Sequence, residues 1–202
     1  MKITNLALQE SLDLGHTINL NLGSGLTRKE GFFNVDLLPL PSVDIVADLN
    51  EPLDLLPDDS VTAIYTSHTL EHVLNFPLLL QEIHRITLPG ARIEIIVPHF
   101  SNPYAYSDPT HVRFFGLYTF FYFSKSMLDG LSRRVPTFYA FPRFRIESVF
   151  ISFYRDGRLN RWLSRHLERF FNQTYTRLDL YERHFCWLYP AHEITYIVYA
   201  DK

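Results

Sequence analysis

The chain has 202 residues, of which 47% are hydrophobic and 20% are charged, and its formal net charge is −3. This length accommodates one well-cored domain and leaves little room for a second. The single cysteine, Cys186, excludes an intrachain disulfide and a cysteine-based zinc site, so we expect it in the core. Residues 1–10 lack the features of a signal peptide, and no apolar run is long enough to span a bilayer. A cytoplasmic protein is therefore expected.

Charge is distributed unevenly along the chain. Residues 1–100 hold 5 Lys and Arg against 13 Asp and Glu, whereas residues 101–202 hold 14 against 9. An acidic first half is typical of a fold that binds ribose through carboxylates. A basic second half suits an anionic acceptor, a phosphate or a membrane surface, and solvated arginines explain it equally well.

The first predicted elements are two strands joined by a glycine turn. Ile18–Leu22 is an apolar strand followed by Gly23-Ser24-Gly25, and the next strand is predicted at Phe32–Leu37. Residues 26–31 are too few for the long helix that a doubly wound fold usually places there. This truncated crossover and the missing third glycine of G-x-G-x-x-G argue against a nicotinamide cofactor, whose pyrophosphate binds at a helix N-terminus. Because Asp36 ends the second strand and is suited to ribose hydroxyls, a nucleoside ligand without pyrophosphate is predicted.

Periodicity and turn residues predict the elements that follow. A helix is predicted from Ser67 to Ile86, ended by Leu88-Pro89-Gly90, and residues 98–112 are predicted to form a long loop beside a site. The other predicted elements are strands at 43–48, 61–65, 92–97, 144–154 and 193–200, an aromatic-rich helix at 114–131 and an amphipathic helix at 159–171.

Several segments, in the right order and at one domain's spacing, closely resemble the small class I, S-adenosylmethionine-dependent methyltransferases of the type 11 methyltransferase-domain family. These segments are Asn19–Gly25, Gly31–Asp36, Val43–Leu49, Ser67–His72, His84–Gly90 and Ile93–Pro98. The resemblance covers residues 18 to about 125 and, weakly, the final strand. It implies a Rossmann-like α/β three-layer sandwich whose mostly parallel, seven-stranded sheet has an antiparallel last strand. We predict a single domain, 1–202, with a helical insertion at about 155–190.

The resemblance further implies that S-adenosylmethionine lies across the first four strand ends. Transferred by position, Gly23, Ser24 and Gly25 would line the methionine and ribose, Asp36 would hold the ribose hydroxyls, Asp48 and Leu49 would lie at the adenine, and Ser67 and His68 would lie near the sulfonium. The family commonly has an acidic residue on the first strand for the methionine amine. Here the nearest residues are the neutral Asn19 and Asn21, and Asn21 is expected to act through its carbonyl.

Methyl transfer to a hydroxyl needs an acceptor held in line with the methyl group and a base that takes its proton. His68 and His72 are predicted to share a helix face, while His99, Asp108 and His111 lie in or beside the following loop. His111, positioned by Asp108, is the predicted base, and His68 is placed at the cofactor or acceptor. O-methylation of a small-molecule or saccharide acceptor is the predicted function. The structural alternative for Asp108 is that it caps a turn.

Other functions stay open at this point. A non-catalytic, cofactor-binding scaffold of the same fold is one alternative, and a metal-dependent hydrolase that uses the histidines is a less favoured one. Methyl transfer itself needs no metal, and none is predicted. The helix around Trp162 is predicted to pack against the domain or to form a dimer contact, and peripheral membrane binding is the alternative. Nucleic-acid binding is not expected.

Overall fold

The computed structural model describes residues 1–124, 130–136 and 142–202. These residues form a mixed α/β fold around one sheet. In chain order the elements are β1 (Lys2–Ile3), α1 (Leu6–Asp13), β2 (Ile18–Leu22), β3 (Phe33–Asp36), β4 (Ile45–Val46), β5 (Val61–Ser67), a 3₁₀ helix (Leu70–His72), α2 (Phe76–Ile86), β6 (Thr87–Pro98), α3 (Pro103–Ser107), a second 3₁₀ helix (Thr119–Phe123), β7 (Phe144–Phe153), α4 (Gly157–Phe171), α5 (Tyr175–His184) and β8 (Ala191–Ala200).

The sheet has the strand order β1-β4-β3-β2-β5-β6-β8-β7. Neighbouring strands from β4 to β6 are parallel, whereas β8 runs antiparallel to both β6 and β7. The predicted parallel sheet with an antiparallel last strand is therefore confirmed. The two-residue β1, antiparallel to β4, adds one edge strand that the sequence did not predict.

The central strands are buried, as expected for parallel strands covered on both faces. Leu20 and Leu22 of β2, Ile64 of β5, and Ile93 and Ile95 of β6 each have at most 1% of their surface exposed. Cys186 also lies in the core, as predicted. Because β2 to β5 are parallel, their C-terminal ends meet at one edge of the sheet, where open α/β sheets bind ligands.

The first crossover is truncated, as predicted. Residues 23–32, all of which the structure describes, contain no helix. The Gly23 and Ser24 N–H groups instead donate to the Val35 carbonyl at 2.8 and 3.0 Å, so the turn folds directly onto β3.

The prediction of a single helix from Ser67 to Ile86 is wrong, because residues 73–75, between the first 3₁₀ helix and α2, are not helical. Asn50 Oδ1 accepts hydrogen bonds from the Leu74 and Asn75 N–H groups at 2.7 and 3.0 Å, which satisfies these donors outside a helix. Pro77 then lies in the first turn of α2, where its missing N–H costs nothing. His68 and His72 consequently do not share a helix face, contrary to the prediction.

Two other predicted boundaries are also wrong. The chain enters β6 at Thr87, directly after α2, and the register with β5 shifts between the pairs Val61–Thr87 and Ala63–Arg92. The aromatic helix predicted at 114–131 is reduced to the 3₁₀ helix Thr119–Phe123, and residues 125–129 of that prediction lie outside the described residues. The predicted loop after β6 contains the short helix α3.

Helix α4 confirms the predicted helix but not the burial of its whole apolar face. Ser164, Glu168 and Phe171 are the buried residues, and Glu168 Oε1 accepts the Phe153 N–H of β7 at 3.0 Å. Leu159 and Trp162 of the same helix face solvent and are 75% and 59% exposed. Within the described part of the chain, the helices are too short or too polar to cross a bilayer.

Candidate cofactor and acceptor clefts

Three clefts surround the C-terminal ends of β2 to β5. We call them the acid cleft (about 280 Å³, lined by Asp36, Asp48 and Leu49), the glycine-turn cleft (about 430 Å³, lined by Asn21, Ser24 and Ser67) and the histidine cleft (about 530 Å³, lined by Asn102, Asp108 and His111). His68 lines all three, and Gly23 lines the first two.

Both carboxylates of the acid cleft are held in place by local hydrogen bonds. Asp36 Oδ2 accepts the Gly25 N–H at 2.8 Å and Oδ1 accepts the Leu38 N–H at 3.1 Å. Asp48 Oδ1 accepts the Asn50 N–H at 2.9 Å. Each carboxylate oxygen has two acceptor sites, so these bonds orient the carboxylates and leave acceptor capacity for ligand hydroxyls.

The two glycines of the turn have different roles. Both have positive φ, +68° at Gly23 and +53° at Gly25. A Cβ at Gly23 would lie 2.0 Å from Thr69 Oγ1, so close packing against Thr69 requires glycine there. Gly25 has open space around it and is not among the residues that line the clefts. It contributes the N–H that fixes Asp36, rather than a lining surface.

Asn19 and Asn21, two residues apart on β2, lie on the same face of the strand but have different partners. The Asn21 side chain donates to Asn34 Oδ1 at 2.9 Å, which leaves its carbonyl oxygen as the group that can accept from a ligand amine. Asn19 donates to the Gly31 carbonyl and accepts from Thr62 Oγ1, and it does not line the glycine-turn cleft. Of the two neutral residues on this strand, only Asn21 is placed to contact a ligand.

His68 has the geometry of a strained site residue. Its φ is +53°, a left-handed conformation that is uncommon for residues other than glycine. Its Nε2 lies 2.8 Å from Glu193 Oε1, and its Nδ1 lies 3.5 Å from Glu71 Oε1. The hydrogen bond with Glu193, with a further contribution from Glu71, raises the pKa of His68 to about 9. His68 is thus a cation at neutral pH and not a proton acceptor.

His111 lies at the histidine cleft with only 9% of its side chain exposed. Its Nδ1 is 2.8 Å from the Ala105 carbonyl, which can only accept, so Nδ1 carries the proton and Nε2 has the free lone pair. Asp108 Oδ2 lies 3.7 Å from Nε2. Hydrogen bonds from the Thr110 hydroxyl and N–H lower the pKa of Asp108, so it is a carboxylate beside the imidazole.

His99, the third candidate from the loop, has a structural position. It is fully buried, its Nδ1 lies 2.8 Å from Ser101 Oγ, and its Nε2 lies 3.1 Å from Glu182 Oε1 of α5. These contacts hold the end of β6 against α5 and do not reach the histidine cleft.

Sequence analysis missed several residues of these clefts. Arg28 and Lys29 line the glycine-turn cleft, and Lys29 Nζ lies 3.7 Å from the centre of the Tyr65 ring. These two adjacent basic residues stand in an otherwise acidic half of the chain, a pattern from which an anion-binding role could have been predicted. Glu193 had no local signal, because it reaches His68 only through the pairing of β8 with β6.

The described residues fit an adenosyl ligand with an amino-acid tail. The buried Ser24 Oγ of the glycine-turn cleft has no hydrogen-bond partner among them. This hydroxyl can therefore form a hydrogen bond with a bound ligand. Asn21 offers an acceptor for an amine, and Arg28 and Lys29 offer cations for a carboxylate. The acid cleft adds the acceptors that ribose hydroxyls require.

Comparison with known proteins agrees with this geometry. Residues 27–95 match a family model described as a methyltransferase domain. The fold is similar to that of a SAM-dependent methyltransferase from Archaeoglobus fulgidus, at 18% identity and a TM-score of 0.55, over 96% of this chain and 91% of that chain. It is also similar to an S-adenosylmethionine-dependent methyltransferase from Mesorhizobium loti, at 16% identity and a TM-score of 0.51, over 96% and 95% of the two chains. No curated protein matches the chain in sequence.

These findings confirm the predicted resemblance. The structural likeness shows the class I methyltransferase fold, and the family model matches about a third of the chain within it. The S-adenosylmethionine cofactor predicted from the sequence agrees with both.

Proposed function

With residues 27–95 in the methyltransferase-domain family and the class I fold around them, we propose that this chain is an S-adenosylmethionine-dependent O-methyltransferase of a small-molecule or saccharide acceptor. The observation that carries the proposal is the position of His68, which lines the acid, glycine-turn and histidine clefts together. A ligand that fills the first two clefts therefore meets a ligand in the third beside His68.

The chain's own residues supply binding and orientation. Asp36 would hold the ribose hydroxyls, Asp48 and Leu49 would lie at the adenine, and the Asn21 carbonyl would accept from the methionine amine. S-adenosylmethionine, when bound, supplies an electrophilic methyl group on a positively charged sulfur. Gly23, Ser24 and Ser67 would line the path between the acid and glycine-turn clefts, and Gly25 would act through the N–H that orients Asp36.

His111 is the base in this proposal. Because Nδ1–H donates to the Ala105 carbonyl, Nε2 is held as the acceptor for the proton of an acceptor hydroxyl. Asp108, 3.7 Å away, stabilises the imidazolium that forms. His68 is a positioning residue that joins the end of β5 to Glu193 of β8.

A hydroxyl-rich acceptor suits the composition of the histidine cleft. Asn102, Ser107, Asp108 and His192 line it together with the exposed ring of Tyr104. Polar side chains interspersed with an aromatic ring provide both the hydrogen bonds and the flat surface that a saccharide needs. A cytoplasmic location stays a prediction.

Calorimetry with S-adenosylhomocysteine and S-adenosylmethionine tests the proposal. We expect both to bind, and Asp36→Ala to weaken binding on the order of 100-fold through loss of charge-assisted hydrogen bonds. Asp54→Ala, at an exposed carboxylate outside the clefts, is the matched control and should leave binding unchanged. No binding at millimolar ligand would refute the proposal. Binding without methyl transfer to any of a panel of hydroxyl acceptors would favour the non-catalytic scaffold.

The outer face of α4 supports a second element of the proposal, a peripheral contact with an anionic membrane. It carries Arg158, Arg161, Arg165 and Arg169, all exposed, and the only acid of the helix, Glu168, is buried. Exposed Leu159, Trp162 and Phe170 accompany them. A helix with a basic face and exposed aromatic residues is typical of binding at a lipid interface.

Co-sedimentation with vesicles tests this contact. The chain should bind vesicles that contain phosphatidylserine and not vesicles of phosphatidylcholine alone, and Trp162→Ala should reduce binding severalfold. Equal binding to both compositions, or a concentration-dependent dimer that Trp162→Ala dissolves, would contradict the membrane role and favour a protein interface.

A further inference from the structure

Glu71, His72 and His111 bring one carboxylate and two imidazoles together between the acid cleft and the histidine cleft. One ligand atom from each lies within 4.8 Å of the other two, and the ring centroids of His72 and His111 are 4.8 Å apart. His72 lines the acid cleft and His111 the histidine cleft. The Val112 N–H donates to the Glu71 carbonyl at 2.8 Å, which joins the two segments of chain.

The carboxylate of Glu71 is buried without sufficient partners. Its side chain is 1% exposed, and neither oxygen has a hydrogen-bond partner among the described residues. The 3.5 Å contact from His68 Nδ1 reaches Oε1 only. A buried polar group in this condition is unfavourable unless a ligand or ion compensates it.

The two histidines are oriented as metal ligands usually are. Metal-bound histidines normally donate their second ring N–H to a carbonyl or carboxylate, directly or through a hydroxyl. His111 Nδ1 donates to the Ala105 carbonyl at 2.8 Å. His72 Nδ1 lies 2.9 Å from Thr110 Oγ1, which itself donates to Asp108 Oδ1 at 2.6 Å, so the threonine oxygen accepts from His72. Nε2 is therefore the nitrogen that each ring offers to an ion.

We propose that Glu71, His72 and His111 bind one divalent transition-metal ion, with zinc as the representative case. Two imidazoles and a carboxylate suit zinc and its first-row neighbours, whereas magnesium and calcium prefer oxygen ligands. Zinc bonds of about 2.0–2.2 Å place ligand atoms roughly 3.4 Å apart, so the cluster closes with movements of about an ångström. The exposed His72 has room for this movement. This proposal differs from the prediction made from the sequence, in which no metal binds.

This site deepens the proposed function and rests on it for its chemical role. Three protein ligands leave a coordination position open, where an acceptor hydroxyl can bind and have its pKa lowered. The hydroxyl proton passes to Asp108, the oxygen bonds to the methyl carbon, and the breaking carbon–sulfur bond leaves its electron pair on sulfur. With metal bound, Nε2 of His111 is a ligand, and acidification by the ion replaces proton transfer to His111.

Metal titration of the full chain tests the site. After treatment with a chelator and desalting, the protein is titrated with Co²⁺ while its visible absorption is recorded, and with Zn²⁺ by calorimetry. We expect one ion per chain, and His72→Ala and His111→Ala should each weaken binding on the order of 100-fold. His16→Ala, at an exposed histidine outside the cluster, should bind as the wild type does.

The outcomes separate this site from the proposed function. Thermal melting checks folding, and the exposed His72 provides a variant that keeps the core intact. Substoichiometric binding, or unchanged affinity in the His72→Ala variant, would overturn the metal site. S-adenosylhomocysteine binding to the same metal-free sample tests the proposed function independently, so a chain that binds the nucleoside but no ion loses only the metal proposal.

Discussion

The acid and glycine-turn clefts, which the proposed function assigns to the cofactor and which we call the cofactor clefts, are built differently from the histidine cleft. The cofactor clefts use backbone groups and short side chains at the ends of β2, β3, β4 and β5, and most of their hydrogen bonds join residues fewer than twenty positions apart. The histidine cleft depends instead on long-range contacts, in which His72 meets Thr110 and His68 meets Glu193 over separations of 38 and 125 residues.

This difference predicts different responses to substitution. The side chains of the cofactor clefts bond to backbone groups at the ends of the strands, so the clefts form together with the sheet. Changes there should affect ligand binding or stability. The histidines act through side chains on loops and on the short 3₁₀ helix Leu70–His72, so changes there should affect turnover with little effect on folding.

The largest expected effect is on turnover. His111→Ala should lower the rate of methyl transfer about 10²–10⁴-fold. The acceptor hydroxyl loses the base that takes its proton or, where the metal site is occupied, a ligand of the ion that lowers its pKa. The rate is measured with isotope-labelled S-adenosylmethionine, and S-adenosylhomocysteine binding should change less than twofold. His184→Ala, at an exposed histidine of α5, is the control. A tenfold loss of nucleoside binding in His111→Ala would break the separation between the two regions.

An effect on stability should distinguish the two glycines of the turn. Gly23→Ala places a methyl group against Thr69 at positive φ and should lower the free energy of unfolding by about 2–4 kcal/mol. Gly25→Ala adds its methyl group in open space and should cost only about 1 kcal/mol of backbone strain. Urea denaturation measures both. Equal losses would mean that the Thr69 contact does not constrain the turn.

The smallest expected effect concerns the loop after the glycine turn. Lys29→Met keeps the side-chain length but removes a cation from the glycine-turn cleft, and should weaken S-adenosylhomocysteine binding about fivefold at low salt. The difference from wild type should shrink as salt screens the charge. Lys2→Met, on the edge strand β1, is the control. Weakening that does not depend on salt would indicate packing and not charge.

Much of the fold was predictable from local sequence. Apolar strands followed by Gly23-Ser24-Gly25, Asp36 and Asp48 predicted a parallel sheet with a nucleoside site at its edge, because each motif acts within one strand and its turn. The helix predicted at 67–86 failed for a non-local reason. Asn50, more than twenty residues away, binds the N–H groups that the helix would have used.

The same distinction holds for the site residues. Asn19 and Asn21 share one face of β2, and Asn21 lies nearer the C-terminal end of the strand, which follows from strand geometry once the strand is assigned. The contacts of His68 have no such local origin. Residue Glu193 reaches it because β8 pairs with β6 in a register that sets Glu193 opposite Pro98.

The sequence by itself therefore determined the fold class and the truncated first crossover, since backbone preferences and hydrophobic periodicity act over a few residues, and the cofactor-side residues stay a prediction. Only the tertiary structure decided that His68 is a cation, that His99 is a buried structural residue, and that Glu71, His72 and His111 converge. Their protonation, burial and mutual distances depend on strand register and on loops that fold back from distant parts of the chain, and these are properties of the packed molecule.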